Sequence, residues 1–171
     1  SSSDGTAKVW NWTTLSVSFT FILGCQVRAL AQVANSLLAT GDENGVVTLW
    51  SLTSGALLAT IQQPSPVAIF RLLLLQSNHN TLVSCDKNGM LTLWNWTSGG
   101  GTFVKTVQAH TGYIPRMDIT SDDKVLTASQ SDGFFRLWDG STLGSVFNTS
   151  TGFSPAAVIQ MESLYRSNNN F

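Results

Sequence analysis

The chain has 171 residues, of which 43% are apolar and only 11% charged, with Lys+Arg 9, Asp+Glu 10 and a net charge of −1. That is enough apolar material for one domain with a core, and too little positive charge for a DNA-binding face or a polybasic membrane contact. A surface left to Ser, Thr, Asn, Gln and Gly suits strands and turns better than a helical bundle.

The chain opens Ser-Ser-Ser-Asp-Gly, with neither Met nor a basic stretch. It therefore reads as lacking a signal peptide and as a piece of a longer chain. Its first phrase, Asp4-Gly5-Thr6-Ala7-Lys8-Val9-Trp10, sets a pattern that returns three times. Asn44-Gly45 leads to Trp50, Asn88-Gly89 to Trp94 and Asp132-Gly133 to Trp138. The four Trp stand 40, 44 and 44 residues apart. Asp-Gly and Asn-Gly are strong hairpin signals, read here as type I′ turns with φ > 0 at both residues. Each is followed by period-two alternation ending in an aromatic, which predicts a half-buried strand.

Around these phrases further strands are predicted in chain order at 17–22, 27–33, 37–40, 57–61, 67–75, 81–84, 103–107, 114–119, 124–127, 144–147, 158–161 and 164–170. The longest apolar run, 67–75, is broken by Arg71 and is far shorter than the roughly 20 residues that span a bilayer. The unit is thus four short antiparallel strands in about 40–45 residues, the pattern of a propeller blade. An all-β fold is expected, with three whole units (24–62, 63–107, 108–150) and partial ones at 1–23 and 151–171.

The phrase Ser131–Asp139, Ser-Asp-Gly-Phe-Phe-Arg-Leu-Trp-Asp, resembles the signature of the WD-repeat β-propellers, and the other three copies match it in register. Asn11, Ser51 and Asn95 replace the Asp after Trp. The Gly-His that opens a unit in the family is Ala109-His110 here, with Gly24-Cys25 and Gln63-Pro64 at the corresponding places. The resemblance implies an arc of a longer ring, seven-bladed as is common in the family. The alternatives are a four-bladed ring closed through its half-units and a homodimer that builds a larger ring. Open blade edges also offer a route to self-association.

The resemblance further implies a structural hydrogen-bond tetrad of His110, Asp132, Trp138 and a hydroxyl from Thr127 or Ser129. The last unit carries one extra residue, for which a bulge is expected. In the other units Asn44 and Asn88 are expected to cap the turn. The sharper alternative, a Ser129–His110–Asp132 triad, lacks any Gly-x-Ser-x-Gly motif, and no hydrolase activity is expected. His79 reads as a loop residue, and the pairs Asp42–Glu43 and Asp122–Asp123 as solvated turns. Cys25 and Cys85 suggest neither a disulfide nor a metal site. Of the sequons at Asn11, Asn95 and Asn148, the first two coincide with the Trp-Asn-Trp-Thr of the repeat, and no glycosylation is expected. Trp12 and Trp96 read as packing on adjacent turns, with an exposed partner anchor as the alternative.

No cofactor or metal is expected. The family likeness implies a non-catalytic scaffold that binds other proteins or peptides, without membrane insertion or DNA binding. It works inside the cell, in the cytoplasm or nucleus, with the cytoplasm preferred. The alternatives are an RNA- or phosphoinositide-binding propeller and, behind it, an enzyme on a propeller scaffold. Gln26, Arg28, Tyr113 and Arg116 precede or begin the first strand of a unit and are the candidate partner contacts, because Tyr and Arg dominate interface hot spots.

Overall fold

The computed structural model describes residues 2–34, 36–97, 100–129 and 131–150. The expected strands at 158–161 and 164–170 lie outside them. Among the described residues every regular element is a strand. The first two, β1 (Thr6–Asn11) and β2 (Ser16–Ile22), form a hairpin. Three four-stranded antiparallel meanders follow. The first holds β3 (Val27–Ala34), β4 (Leu37–Asp42), β5 (Val46–Ser51) and β6 (Leu57–Gln62). The second holds β7 (Ile69–Leu74), β8 (Thr81–Asp86), β9 (Met90–Thr97) and β10 (Gly100–Gln108). The third holds β11 (Arg116–Ile119), β12 (Lys124–Ala128), β13 (Phe134–Asp139) and β14 (Ser145–Ser150). These are propeller blades, and among the described residues their sheets do not close into a ring.

The blades stack face to face through three apolar clusters. Phe21 and Val27 meet Trp50, Val47 and Leu49 meet Leu72 and Trp94, and Leu91 and Leu93 meet Val125 and Trp138. The middle blade is therefore covered on both sides. Period-two alternation alone would leave one face of a sheet wet, but β8 is buried along its whole length because both faces are packed. The outer strands are different: Leu57 and Leu58 of β6, Phe103 and Val104 of β10, and Val146 and Phe147 of β14 are exposed.

The hairpin turns differ from the expected type I′. Gly45, Gly89 and Gly133 have positive φ, but the Asn or Asp before each does not. Gly45 N–H bonds back to the Asp42 carbonyl, and Gly89 N–H to that of Asp86. The turn thus starts earlier, and a single left-handed glycine closes it. At Gly89 a side chain would lie 2.3 Å from the His110 carbonyl oxygen, so the next blade's loop also demands glycine there. The turn-capping carboxylates are accordingly Asp42 and Asp86, not Asn44 and Asn88. Asp42 Oδ1 accepts the N–H groups of Asn44 and Val46, and Asp86 Oδ1 those of Asn88 and Met90.

The extra residue of the last blade makes no bulge in the β12–β13 ladder, whose register is continuous. It lengthens the loop instead, where Gly133 N–H reaches back to the Ser129 carbonyl. Register shifts occur elsewhere. Three of them fall on first strands, at Arg28 and again between Gln32 and Ala34 in β3, and at Phe70 in β7.

Candidate partner-binding surface

First strands of the three blades lie side by side, and their entry ends carry the candidate contacts. Arg28 and Phe70 are the unpaired residues of the bulges at the entry ends of β3 and β7, since Val27 and Ala29 pair with Asp42 and Gly41, and Ile69 and Arg71 with Asp86 and Cys85. A bulge re-aims the side chain it carries. Arg28 Nη2 donates to Gln26 Oε1 at 2.6 Å, and its guanidinium lies 5.1 Å from the centre of the Phe70 ring. Phe70 in turn meets Tyr113 edge-on at 4.6 Å between centroids. Arg71 donates to the Pro115 carbonyl, one residue before Arg116. Backbone bonds pin both ends of the row: Gln26 N–H bonds Glu43 Oε1, and the Tyr113 carbonyl accepts from Ser129 Oγ. Gln26, Arg28 and Tyr113 are thus brought into one row, with Arg116 beside Pro115. Phe70 and Arg71, absent from the sequence-based set, complete it.

His110, Thr127, Asp132 and Trp138 also come together. Trp138 Nε1–H donates to Thr127 Oγ1 at 2.9 Å, Thr127 Oγ1 lies 2.8 Å from His110 Nε2, and His110 Nδ1 lies 2.9 Å from Asp132 Oδ1. The donors run one way: indole N–H to hydroxyl, hydroxyl to Nε2, Nδ1–H to carboxylate. Ser129 is not part of this chain, because its hydroxyl donates to Tyr113 and accepts from Ser131 N–H. Both ring nitrogens of His110 are occupied without it, so the three residues of a Ser–His–Asp triad are not aligned. Arg136, unforeseen in the sequence, donates to Asp132 Oδ2 at 2.7 Å.

Comparison with known proteins agrees with this geometry. Residues 101–139, spanning His110 to Trp138 and the strand before them, match the family model "WD domain, G-beta repeat". This chain carries a WD repeat. Among solved structures, the crystal structure of the computationally designed Ika8 protein is similar at a TM-score of 0.71, with 23% sequence identity over 86% of this chain. The chain spans 44% of that protein's length, and the likeness shows the fold. No curated protein matches.

The other two blades build the WD-repeat linkage from different chemistry. Trp50 Nε1–H donates to Thr40 Oγ1 at 3.0 Å, and Trp94 Nε1–H to Ser84 Oγ at 2.8 Å. Where the WD repeat has His110, the first blade has Cys25, whose thiol donates to Asp42 Oδ2 at 3.1 Å. Burial and the Asp42 carboxylate push that thiol up to about 11, and burial pushes Cys85 up to about 12, so both stay protonated at neutral pH. The middle blade has Gln63, which is buried, faces Asp86 and donates to the Val67 carbonyl.

Cationic neighbours separate the carboxylates. Burial raises the Asp86 carboxyl above its usual range. Burial also opposes ionisation of Asp132, but hydrogen bonds from His110 and Arg136 outweigh it and hold the group at about 2. His110 is lowered below 6.5, by burial and by the Arg136 charge, against the pull of Asp132. At neutral pH it is a neutral imidazole donating to a carboxylate, although its distance to Asp132 is that of an ion pair.

Because the folded His110 binds its proton less readily than the unfolded chain, its contribution to stability is complete above pH 6.5 and is lost as pH falls below that value. The Asp132 contribution is present above pH 3.8 and is lost as pH falls towards 2. The urea midpoint should therefore drop on acidification from neutral pH through the His110 window. His110→Gln, which copies the middle blade, should flatten that part of the profile. An unchanged profile in the variant would assign the drop to other groups.

Trp12 and Trp96, alike in sequence, part company in the structure. Trp96 is buried and donates to the His79 carbonyl, whereas Trp12 at the β1–β2 hairpin is exposed. Among the described residues no group of three or more His, Cys, Asp or Glu is placed to hold a metal ion.

Proposed function

We propose that this chain is a non-catalytic protein-interaction scaffold whose partner docks across the entry ends of β3, β7 and β11. The single observation that carries the reading is the row Arg28–Phe70–Tyr113, an exposed guanidinium packed on one aromatic that is packed on a second. Aromatic and Arg side chains held rigid before binding lose little entropy when a partner covers them. Two bulges, which leave Arg28 exposed and Phe70 half-buried beside it, support the same reading, since neither is needed to complete a ladder. The WD repeat at 101–139 supports an interaction role in general.

The test is proximity labelling in cells with the intact chain and with a Phe70→Ala/Tyr113→Ala double variant. The variant should keep its strand-dominated circular dichroism and lose the proteins labelled by the wild type. A folded variant that labels the same proteins would move the docking surface elsewhere.

A further inference from the structure

In the sequence the arginines stand far apart, at 28, 71 and 116. The fold puts them on the first strands of three adjacent blades. Arg28 and Arg71 are exposed, and neither has a carboxylate within ion-pair distance among the described residues. Two other cations are paired with carboxylates: Lys124 with Asp122, and Arg136 with Asp132. A guanidinium offers five donors in a planar fork. Arg28 commits one to Gln26, and Arg71 one to the Pro115 carbonyl. Both side chains are exposed, and that of Arg28 lies over the Phe70 ring. Lys87 adds an exposed cation on the loop whose N–H bonds the Ala68 carbonyl, two residues before Phe70. Glu43 lies at the Arg28 end of the row, where its Oε1 is engaged by the Gln26 N–H. The carboxylates at this end, Asp42, Glu43 and Asp86, are engaged by backbone N–H groups, whereas the forks of Arg28 and Arg71 keep donors open.

We infer that the partner segment is acidic: a linear stretch of polypeptide that sets carboxylates on Arg28 and Arg71 and lays apolar side chains on Phe70 and Tyr113. The inference rests on the docking reading above and adds the sign and form of the partner. Bidentate Arg–carboxylate pairing suits the open forks, and the cation–π contact at Arg28 keeps its fork in place. A nucleic acid fits less well. Nucleic-acid affinity comes mainly from neutralising many phosphates with Lys and Arg, and the row supplies two arginines without a carboxylate partner among the described residues, on a chain with more acidic than basic residues.

The experiment selects binders from a random-peptide display library against the intact chain. Affinities of the winning peptides are then measured for three proteins: wild type, Arg28→Glu/Arg71→Glu and Phe70→Ala/Tyr113→Ala. The selected peptides should be rich in Asp and Glu. Charge reversal should weaken them by about tenfold or more, with partial recovery when their Glu residues are replaced by Lys. Peptides that are neutral or basic, or that tolerate charge reversal, overturn the acidic partner. If such peptides are still lost in the aromatic variant, the docking surface stands and only its charge preference falls. If neither variant weakens binding, both readings fall. A single-stranded oligonucleotide that displaces the peptides at lower concentration than they bind would also overturn the inference, in favour of nucleic acid.

Discussion

Trp94→Ala is expected to destabilise the chain by about 3–5 kcal/mol, as the loss of a fully enclosed aromatic does, whereas Trp10→Ala should cost a small fraction of that. The two occupy the same place in the repeated phrase. Trp94 is 0% exposed and Trp10 60% exposed. Trp94 packs among Leu49, Leu72 and Leu82, between the first and middle blades. Its indole N–H is bonded to Ser84 and its ring meets Phe103 edge-on. Removing it opens a cavity between two sheets and leaves Ser84 Oγ without its donor. Equilibrium unfolding in urea, followed by circular dichroism because the substitution removes a fluorophore, measures both variants. Equal losses for Trp10 and Trp94 would mean that Trp10 is covered in solution by something other than the described residues.

The same comparison shows what was legible beforehand. The repeat was, because an Asn/Asp-Gly phrase and a Trp at fixed spacing are local features of sequence. The buried Trp50, Trp94 and Trp138 follow from it directly. The turn chemistry was not. Asn-Gly suggests two positive φ angles, yet the chain closes each loop with one left-handed glycine, and this moves the capping carboxylate back to Asp42 and Asp86. Phe70 was hidden for a different reason. It sits in the apolar run 67–75, where nothing local sets it apart from its buried neighbours, and it lies unpaired in the bulge between Ile69 and Arg71, against Arg28. The arginines were isolated on paper because the docking row takes one or two residues from each blade. Arg136 was legible as a strand residue, but its pairing with Asp132 is seen only in the structure.

Thr127→Val should cost about 2–4 kcal/mol, the sum expected for two buried groups left unpaired. Valine keeps the shape of threonine and removes only the hydroxyl. That hydroxyl accepts from Trp138 Nε1–H and meets His110 Nε2, and Thr127, His110 and Trp138 are all buried. One substitution therefore strands an indole donor and an imidazole acceptor together. Ser84→Ala is the control. Ser84 Oγ accepts from Trp94 Nε1–H, and the middle blade has Gln63 in place of the histidine, so a single indole donor is stranded. Its cost should be about half that of Thr127→Val, near 1–2 kcal/mol. The two urea midpoints decide whether the histidine link adds stability beyond the Trp–hydroxyl bond that all three blades share. If Thr127→Val costs no more than Ser84→Ala, His110 adds nothing through Nε2, and its role reduces to its bond with Asp132. The double variant Thr127→Val/His110→Gln separates these cases. If the link through Nε2 matters, adding His110→Gln should cost much less in the Thr127→Val background than in the wild type, because the hydroxyl partner is already gone.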